Sequence, residues 1–269
     1  MKRLLLTAVL ASQSTGNAAL AQKPRGSILP AGADTNDANA FYQFGATVLA
    51  QRPRDALAAF QWARRLAPDW ADPLYGEWIA SLLSRRNLLR GYMEGSRAAM
   101  RSKEIRTIDS LYYHALTLNP FMYRRFDRLL FDGYFDVLVE NYQRRYGRTL
   151  DAAAERHYFD QSLAENWNLR GWLAYADGRF DHAIKAYGSS LAGAKYKAGP
   201  LAARARAAFL KGDYAAALTE MKAAIAHLRD TGEDDLVFVY DSKALFEHSV
   251  AVVHEMMGDR RAEVLCPSR

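Results

Sequence analysis

The sequence contains one cysteine, few prolines and no long apolar run, and each shortage excludes a class of protein. Cys266 is the single cysteine of 269 residues, so the chain has no internal disulfide and no multi-cysteine metal site. It lies where a prenylation signal places its cysteine, but Pro267, Ser268 and Arg269 follow instead of aliphatic residues. No apolar stretch reaches the roughly 20 residues of a transmembrane helix, so we predict no transmembrane span. Eight prolines, and few β-branched residues, favour helix over sheet.

Motifs that carry catalysis or bind metals are also missing. The chain has no phosphate-binding glycine loop, no Gly-x-Ser-x-Gly elbow and no His-Glu-x-x-His pattern. His248 and His254 lie six positions apart on a predicted helix and therefore do not share a face. We predict no catalytic residues, no metal site and no cofactor, and a protein that is not an enzyme. A helical-repeat enzyme, with a site assembled from residues far apart in sequence, remains an alternative.

The first residues have the pattern of an export signal. Positive charge at Lys2 and Arg3 precedes a short apolar core at residues 4–11, and Ala19-Leu20-Ala21 fits a small-x-small cleavage site. We predict a signal peptide at 1–21 with cleavage after Ala21, and hence a periplasmic or extracellular protein. The alternative is a frayed cytoplasmic N-terminus. Residues 22–40 are rich in Pro, Gly, Ala, Asp and Asn, which predicts a flexible lead-in.

Two stretches of the chain share one pattern at an offset of 34 residues. Residues 177–183 (DGRFDHA) align with 211–217 (KGDYAAA). Each has a turn glycine, then an aromatic residue, an alanine and a large apolar residue. Glycine can adopt positive φ and so end a helix, and alanine allows two helices to cross closely. The matched pairs are Tyr175 with Phe209, Gly178 with Gly212, Phe180 with Tyr214, Ala183 with Ala217, Tyr187 with Met221 and Leu191 with Ile225.

Partial copies of this pattern flank the regular pair. One copy ends at Pro68 and includes Ala56, Phe60 and Ala63, and a second ends at Pro120 after YYHALTLN. The run DGYFD at 132–136 predicts another turn at Gly133, and Gly258 predicts the last one. We also predict that residues 236–240 belong to one helix with the segment that follows them. The spacing of these glycines is irregular outside residues 165–230.

This pattern resembles the tetratricopeptide repeat, whose 34-residue unit is a pair of antiparallel helices. The resemblance implies an all-α fold: a right-handed αα-hairpin solenoid over 41–265 with irregular central hairpins, and a short tail at 266–269. It also places Gly171 at the small packing position of a first helix. Phe180, Ala183 and Tyr187 would then face inward on the second helix.

The resemblance also implies where a partner binds. In such a solenoid the first helix of each hairpin lines the concave side. The resulting groove would present Asn168, Trp172, Tyr175, Arg206 and Phe209, and Trp, Tyr and Arg contribute most at interfaces. The leading prediction is a non-enzymatic scaffold that binds a protein or peptide in this groove. The alternative is that these aromatic residues pack between adjacent hairpins.

A second candidate surface is the basic segment 85–148. It contains thirteen Lys or Arg against seven Asp or Glu, with many interleaved aromatic residues. Such a segment suits an anionic envelope or membrane surface, and export makes nucleic acid the least favoured ligand. The alternative is a solvated arginine face over aromatic residues that belong to the core.

Overall fold

The computed structural model describes residues 29, 33–147, 151–194, 196–231 and 242–258. Within these residues the fold is all-α, with thirteen helices and no strand. The predicted signal peptide, the 266–269 tail with Cys266, and residues 236–240 lie outside the described residues. The helices are α1 Ala38–Val48, α2 Pro53–Leu66, α3 Ala71–Leu83, α4 Arg86–Met93, α5 Arg97–Met100, α6 Lys103–Leu118, α7 Asp127–Tyr146, α8 Ala152–Glu165, α9 Trp167–Ala176, α10 Phe180–Leu191, α11 Ala198–Lys211, α12 Tyr214–Thr231 and α13 Lys243–Met256.

Side-chain caps define where several helices begin. The Asp37 carboxylate accepts from the backbone N–H of Asn39 at the start of α1, and Ser102 and Asn166 cap α6 and α9 in the same way. The cap at Asp37 starts α1 three residues inside the predicted lead-in. Leu29 is also buried against the core, so part of the 22–40 segment is packed rather than flexible.

The N-terminal half is built on an aromatic core. Helices α1, α2 and α3 pack consecutively, and α3 also packs against α6 because α4 and α5 form an insertion between them. The rings of Phe60, Tyr75, Trp78 and Tyr112 fill the space between these helices and are fully buried. Burying an aromatic ring contributes about 1.5–3 kcal/mol each, so this cluster is a main source of stability in this half.

The C-terminal half contains two consecutive helical hairpins whose turns are alike. Helices α9 to α12 each pack on the next, and α13 packs on α12. Gly178 and Gly212 end α9 and α11 with φ of +72° and +89°, in the left-handed region that glycine tolerates. At both turns the next residue donates to the carbonyl five positions back: Arg179 to Ala174 at 2.8 Å, and Asp213 to Ala208 at 2.9 Å.

Helix α7 differs from the sequence prediction. The turn predicted at Gly133 is wrong, because Gly133 lies inside this helix. A Cβ at Gly133 would approach Leu83 of α3 to 2.8 Å and Leu89 of α4 to 3.2 Å. Glycine here allows α7 to pack closely against two earlier helices, and its role is packing rather than chain reversal.

Among the described residues, none of the helices combines the length and the apolar character that crossing a membrane requires.

Candidate functional site

The loop between α6 and α7, residues 119–126, lies against the helices predicted to form the groove. We call it the linker. The Phe121 ring stacks on Phe209 of α11, with centroids 3.8 Å apart and planes 11° from parallel. The Tyr175 hydroxyl of α9 donates to the Met122 carbonyl at 3.1 Å, and the Tyr123 hydroxyl donates to the Ala176 carbonyl at 2.7 Å. The linker is therefore held by ring stacking at one end and by backbone carbonyls in the middle.

A buried ion pair fixes the end of the linker. Arg124 Nε lies 3.2 Å from Oδ2 of Asp127, the first residue of α7. Both Asp127 oxygens also accept hydrogen bonds, from the Tyr75 hydroxyl at 2.8 Å and from Trp172 Nε1 at 2.5 Å. Arg124 Nη1 donates to the Tyr112 hydroxyl at 2.8 Å. The Asp127 carboxylate thus joins α3, α7 and α9, and Arg124 extends the network to α6.

Burial dominates the electrostatics of this network. It raises the pKa of Asp127, although Arg124, Trp172 and Tyr75 stabilise the carboxylate and act in the opposite direction. Burial also raises the pKa of Tyr75 well above its usual value, and the charge of Asp127 raises it further. For Arg124, burial alone lowers the pKa, but Asp127 and nearby tyrosines raise it well above its ordinary value. Arg124 is therefore a permanent cation with Asp127 as its counter-ion.

Most of the five predicted groove residues pack against other residues of the chain and have little exposure to solvent. Tyr175 and Arg206 are buried, Trp172 and Phe209 are half-buried, and only Asn168 is exposed. Trp172 and Phe209 contact Asp127 and Phe121 as described, and Trp172 also meets Phe131 edge-on with centroids 4.8 Å apart. The structure thus brings four of the five residues to the region of the linker, where they pack within the chain. Asn168 lies apart from them in the first turn of α9.

The predicted repeat residues lie mostly inside the helical hairpins. A Cβ on Gly171 would lie 2.7 Å from the Tyr187 ring. A Cβ on Gly45 or Gly76 would likewise lie within 2.9 Å of the Phe60 ring. Phe180 is half-buried and meets Tyr175 with centroids 5.7 Å apart. Of the remaining positions, Ala56, Pro120, Ala183, Ala217 and Met221 are buried, Tyr214 is half-buried, and Pro68, Gly178 and Gly212 are exposed in turns.

The basic segment 85–148 divides into paired and unpaired charges. Four arginines of the segment form ion pairs at the surface: Arg85 with Glu104, Arg86 with Glu140, Arg90 with Glu94, and Arg128 with Asp177. Arg124 pairs with the buried Asp127. The unpaired charges concentrate in residues 97–106, which carry four cationic side chains and one carboxylate. We call these four the basic cluster; they are Arg97, Arg101, Lys103 and Arg106. All four are exposed, and none makes an ion pair with a described residue.

A second exposed basic group lies at the end of α7. Arg144 and Arg145 are exposed there, and Arg145 lies over the Tyr146 ring at 5.4 Å. Tyr142 and Tyr146 contact each other with centroids 4.7 Å apart and are both exposed. Two ion pairs, Arg85–Glu104 and Arg86–Glu140, connect the start of α4 with α6 and with α7. Glu104 follows Lys103 directly and Glu140 lies one helical turn before Arg144, so both basic groups lie near the start of α4.

Sequence reasoning missed the linker and the role of Asp127. The linker follows the predicted repeat copy that ends at Pro120. Its aromatic residues, Phe121, Tyr123 and Phe126, were interpreted only as part of the basic segment 85–148. A signal was present in the composition: three aromatic residues within six positions of a loop predict a loop that packs against the core. Nothing in the local pattern indicated which helices it would contact.

Comparison with models of known protein families finds no match, and comparison with curated proteins finds none either. Within the described part of the chain, no three His, Cys, Asp or Glu side chains come together in a group that could hold a metal ion.

Proposed function

We propose that this chain is a non-enzymatic helical-repeat scaffold that binds the acidic surface of a protein partner through its basic cluster. The observation that carries the proposal is the placement of Arg97, Arg101, Lys103 and Arg106, which are exposed and lack ion pairs within the described chain. Like charges held together on a folded surface repel one another, and an acidic partner relieves that repulsion.

The scaffold part of the proposal rests on the two hairpins α9–α10 and α11–α12. Their matching glycine turns and hydrogen bonds at a 34-residue offset support a solenoid of the tetratricopeptide type. With cleavage after Ala21, such a scaffold would meet its partner outside the cytoplasm.

The predicted groove is a weaker site for a partner, because the linker already contacts it. A competing peptide would have to displace Phe121 from Phe209 and break the hydrogen bond from Tyr175 to the Met122 carbonyl. The linker is also tethered by the chain on both sides, so it competes at a high effective concentration. The exposed basic cluster has no such competitor among the described residues.

Exposed aromatic residues near the second basic group support a protein partner. Tyr142 and Tyr146 lie beside Arg144 and Arg145 on α7, and Tyr and Arg are enriched among residues that dominate protein interfaces. A partner that spans the start of α4 would contact both basic groups.

The test compares two variants of equal charge change in capture from the native source. In one, Arg97, Arg101, Lys103 and Arg106 become Gln; in the other, the exposed residues Arg54, Arg65, Lys185 and Lys222 become Gln. We expect a protein retained by the native chain and the second variant, lost with the first, and released in about 1 M salt, where the screening length is near 3 Å.

Equal loss with both variants would show that only total charge matters and would overturn the site. Vesicles containing phosphatidylglycerol provide the rival arm of the test. If these vesicles bind the native chain and not the first variant, while no protein is captured, the ligand is an anionic envelope surface and the proposal of a protein partner is wrong.

A further inference from the structure

Two arginines share one carboxylate at the turn between α9 and α10. Oδ2 of Asp177 lies 2.8 Å from Nη2 of Arg179, on the other side of the turn, and 3.4 Å from Nη1 of Arg128, the second residue of α7. The second distance is longer than an ordinary N–H···O hydrogen bond, so Arg128 is held only loosely. Neither arginine pairs with another carboxylate of the described chain. The group therefore carries two positive charges and one negative charge.

The linker fixes the turn that carries these charges. The Tyr123 hydroxyl donates to the Ala176 carbonyl at 2.7 Å, and a Cβ on Gly178 would lie 3.1 Å from the same hydroxyl. Asp177 and Arg179 directly flank Gly178, which adopts a φ of +72°. Because the backbone of the turn is already held in place, a ligand that binds there loses little affinity to ordering of the chain.

The matching turn between α11 and α12 is built differently. Lys211 precedes Gly212 and pairs with Asp181 of α10. Asp213 follows Gly212 and accepts a hydrogen bond from the backbone N–H of Ala216 at 3.0 Å. Here one cation faces one carboxylate, so the excess of positive charge belongs to the α9–α10 turn and is not a general feature of these hairpins.

Both guanidinium groups keep N–H donors that bind nothing in the described chain. The side chains of Arg128 and Arg179 are 43% and 56% exposed, and a guanidinium has five such donors. The two nitrogens that contact Asp177 are at most about 6 Å apart, because both lie on the same oxygen. One anion with two oxygens can therefore accept from both arginines, at the roughly 2.7–2.9 Å typical of charge-assisted hydrogen bonds.

We propose that Arg128 and Arg179 bind the side-chain carboxylate of an Asp or Glu on a protein partner. One further carboxylate balances the two arginines and Asp177, whereas a phosphate dianion would leave an excess of negative charge. Tyr123, which is 36% exposed, meets Phe180 with ring centroids 5.7 Å apart, and these rings offer a contact to residues beside the acid. Tyr and Arg are also enriched among residues that dominate interfaces. The surface shares no residue with the basic cluster, so this inference does not rest on the proposed function.

The test observes the two arginines by NMR of the full chain with isotope-labelled arginine side chains. The probe is the pentapeptide Gly-Glu-Phe-Glu-Gly with both ends capped, and its Gln analogue is the uncharged control. We expect the Glu peptide to shift the Nε–Hε signals of Arg128 and Arg179 saturably, and the Gln peptide to leave them unchanged. Arg128→Gln and Arg179→Gln should each weaken the apparent affinity several-fold, because each removes one donor group. Lys211→Gln, which removes an exposed cation at the matching turn, is the matched control and should bind as the native chain does.

The variant with all four residues of the basic cluster changed to Gln separates this inference from the proposed function. It should bind the Glu peptide at Arg128 and Arg179 with native affinity, and loss of the two shifts in this variant would overturn the inference. Equal shifts with the Glu and Gln peptides, or an equal loss of affinity in Lys211→Gln and Arg179→Gln, would also overturn it.

Two further probes test the assignment to an acidic side chain. Inorganic phosphate that shifts both signals at a lower concentration than the Glu peptide would show that the site prefers a phosphate. Tighter binding of the Gln peptide with a free carboxyl terminus would show that the site recognises a chain terminus. Either result overturns the assignment.

Discussion

Phe121 in the linker stacks on Phe209 of α11, with ring centroids 3.8 Å apart. This contact joins the loop that ends the N-terminal helices to the second of the two regular hairpins. Phe121 belongs to the same buried cluster as the apolar residues of α11, α12 and α13. The linker therefore contributes to the core of the C-terminal half and is more than a connection between α6 and α7.

Replacing Phe121 with alanine should destabilise the chain strongly. Truncating a buried phenylalanine costs about 3–5 kcal/mol through lost burial and the cavity left behind. The free energy of unfolding from denaturant titration measures the loss. Tyr142→Ala, at an exposed aromatic position on α7, is the control and should change stability little.

The double variant with Phe209→Ala isolates the stacking itself. Contacts between aromatic rings contribute about 0.5–1.5 kcal/mol beyond burial, so the two single losses should not add. Strict additivity in this cycle would show that the two rings stabilise the fold independently.

The close packing of α9 against α10 at Gly171 leads to a second prediction. A Cβ at this position would lie 2.7 Å from the buried Tyr187 ring, so Gly171→Ala must push the helices apart or shift the ring. We expect a loss of about 1–3 kcal/mol, as for other overpacked cores. Gly193→Ala is the matched control, because nothing lies within 4 Å of its Cβ position. Equal stability of the two variants would contradict close packing at Gly171.

The pattern of glycine, aromatic residue and alanine predicted a turn correctly where that turn depends only on residues close to it in the sequence. The left-handed turns at Gly178 and Gly212 follow from glycine and from neighbours within a few positions. The same reasoning failed at Gly133, where DGYFD resembles DGRFD. The difference is made by Leu83 and Leu89 on other helices, which the local pattern does not include.

The linker contacts were beyond prediction for a related reason. The hydrogen bonds from Tyr175 to Met122, and from Tyr123 to Ala176, each join residues 53 positions apart. No periodicity marks such a pair, since a loop residue has no repeating face. The repeat pattern therefore assigned the groove residues to the expected helices, but it did not indicate that the linker would lie against them.

The buried ion pair gives a third prediction. Asp127→Asn keeps the size of the side chain and an acceptor for Tyr75 or Trp172, but it leaves Arg124 charged and alone. Removing one partner of a buried pair costs about 3–5 kcal/mol, and denaturant titration should show a loss of this size. Asp181→Asn is the control, since this residue pairs with Lys211 at the surface, and its stability should match that of the native chain. A small effect at Asp127 would mean that Arg124 finds compensation elsewhere.

Asp109 on α6 gives the last prediction, a dependence of stability on pH. This carboxyl is buried and accepts a hydrogen bond from Trp78 Nε1 at 3.1 Å, without an ion pair among the described residues. Burial raises its pKa to about 6, while the Trp78 hydrogen bond lowers it. In the unfolded chain the pKa is about 3.9, so the folded state holds the proton more tightly.

The contribution of Asp109 is therefore fully present below about pH 4 and is lost as the pH rises through about 6. A difference of about two pKa units corresponds to about 3 kcal/mol as an upper estimate. Asp109→Asn keeps the acceptor for Trp78 and cannot ionise, so its stability relative to the native chain should rise between pH 4 and pH 7. Denaturant titrations of both proteins across this range measure the difference, and Asp160→Asn, at an exposed carboxylate, serves as the control. A stability difference between native and Asp109→Asn chains that stays constant from pH 4 to pH 7 would contradict the prediction, because it would show that folding does not raise the pKa of Asp109.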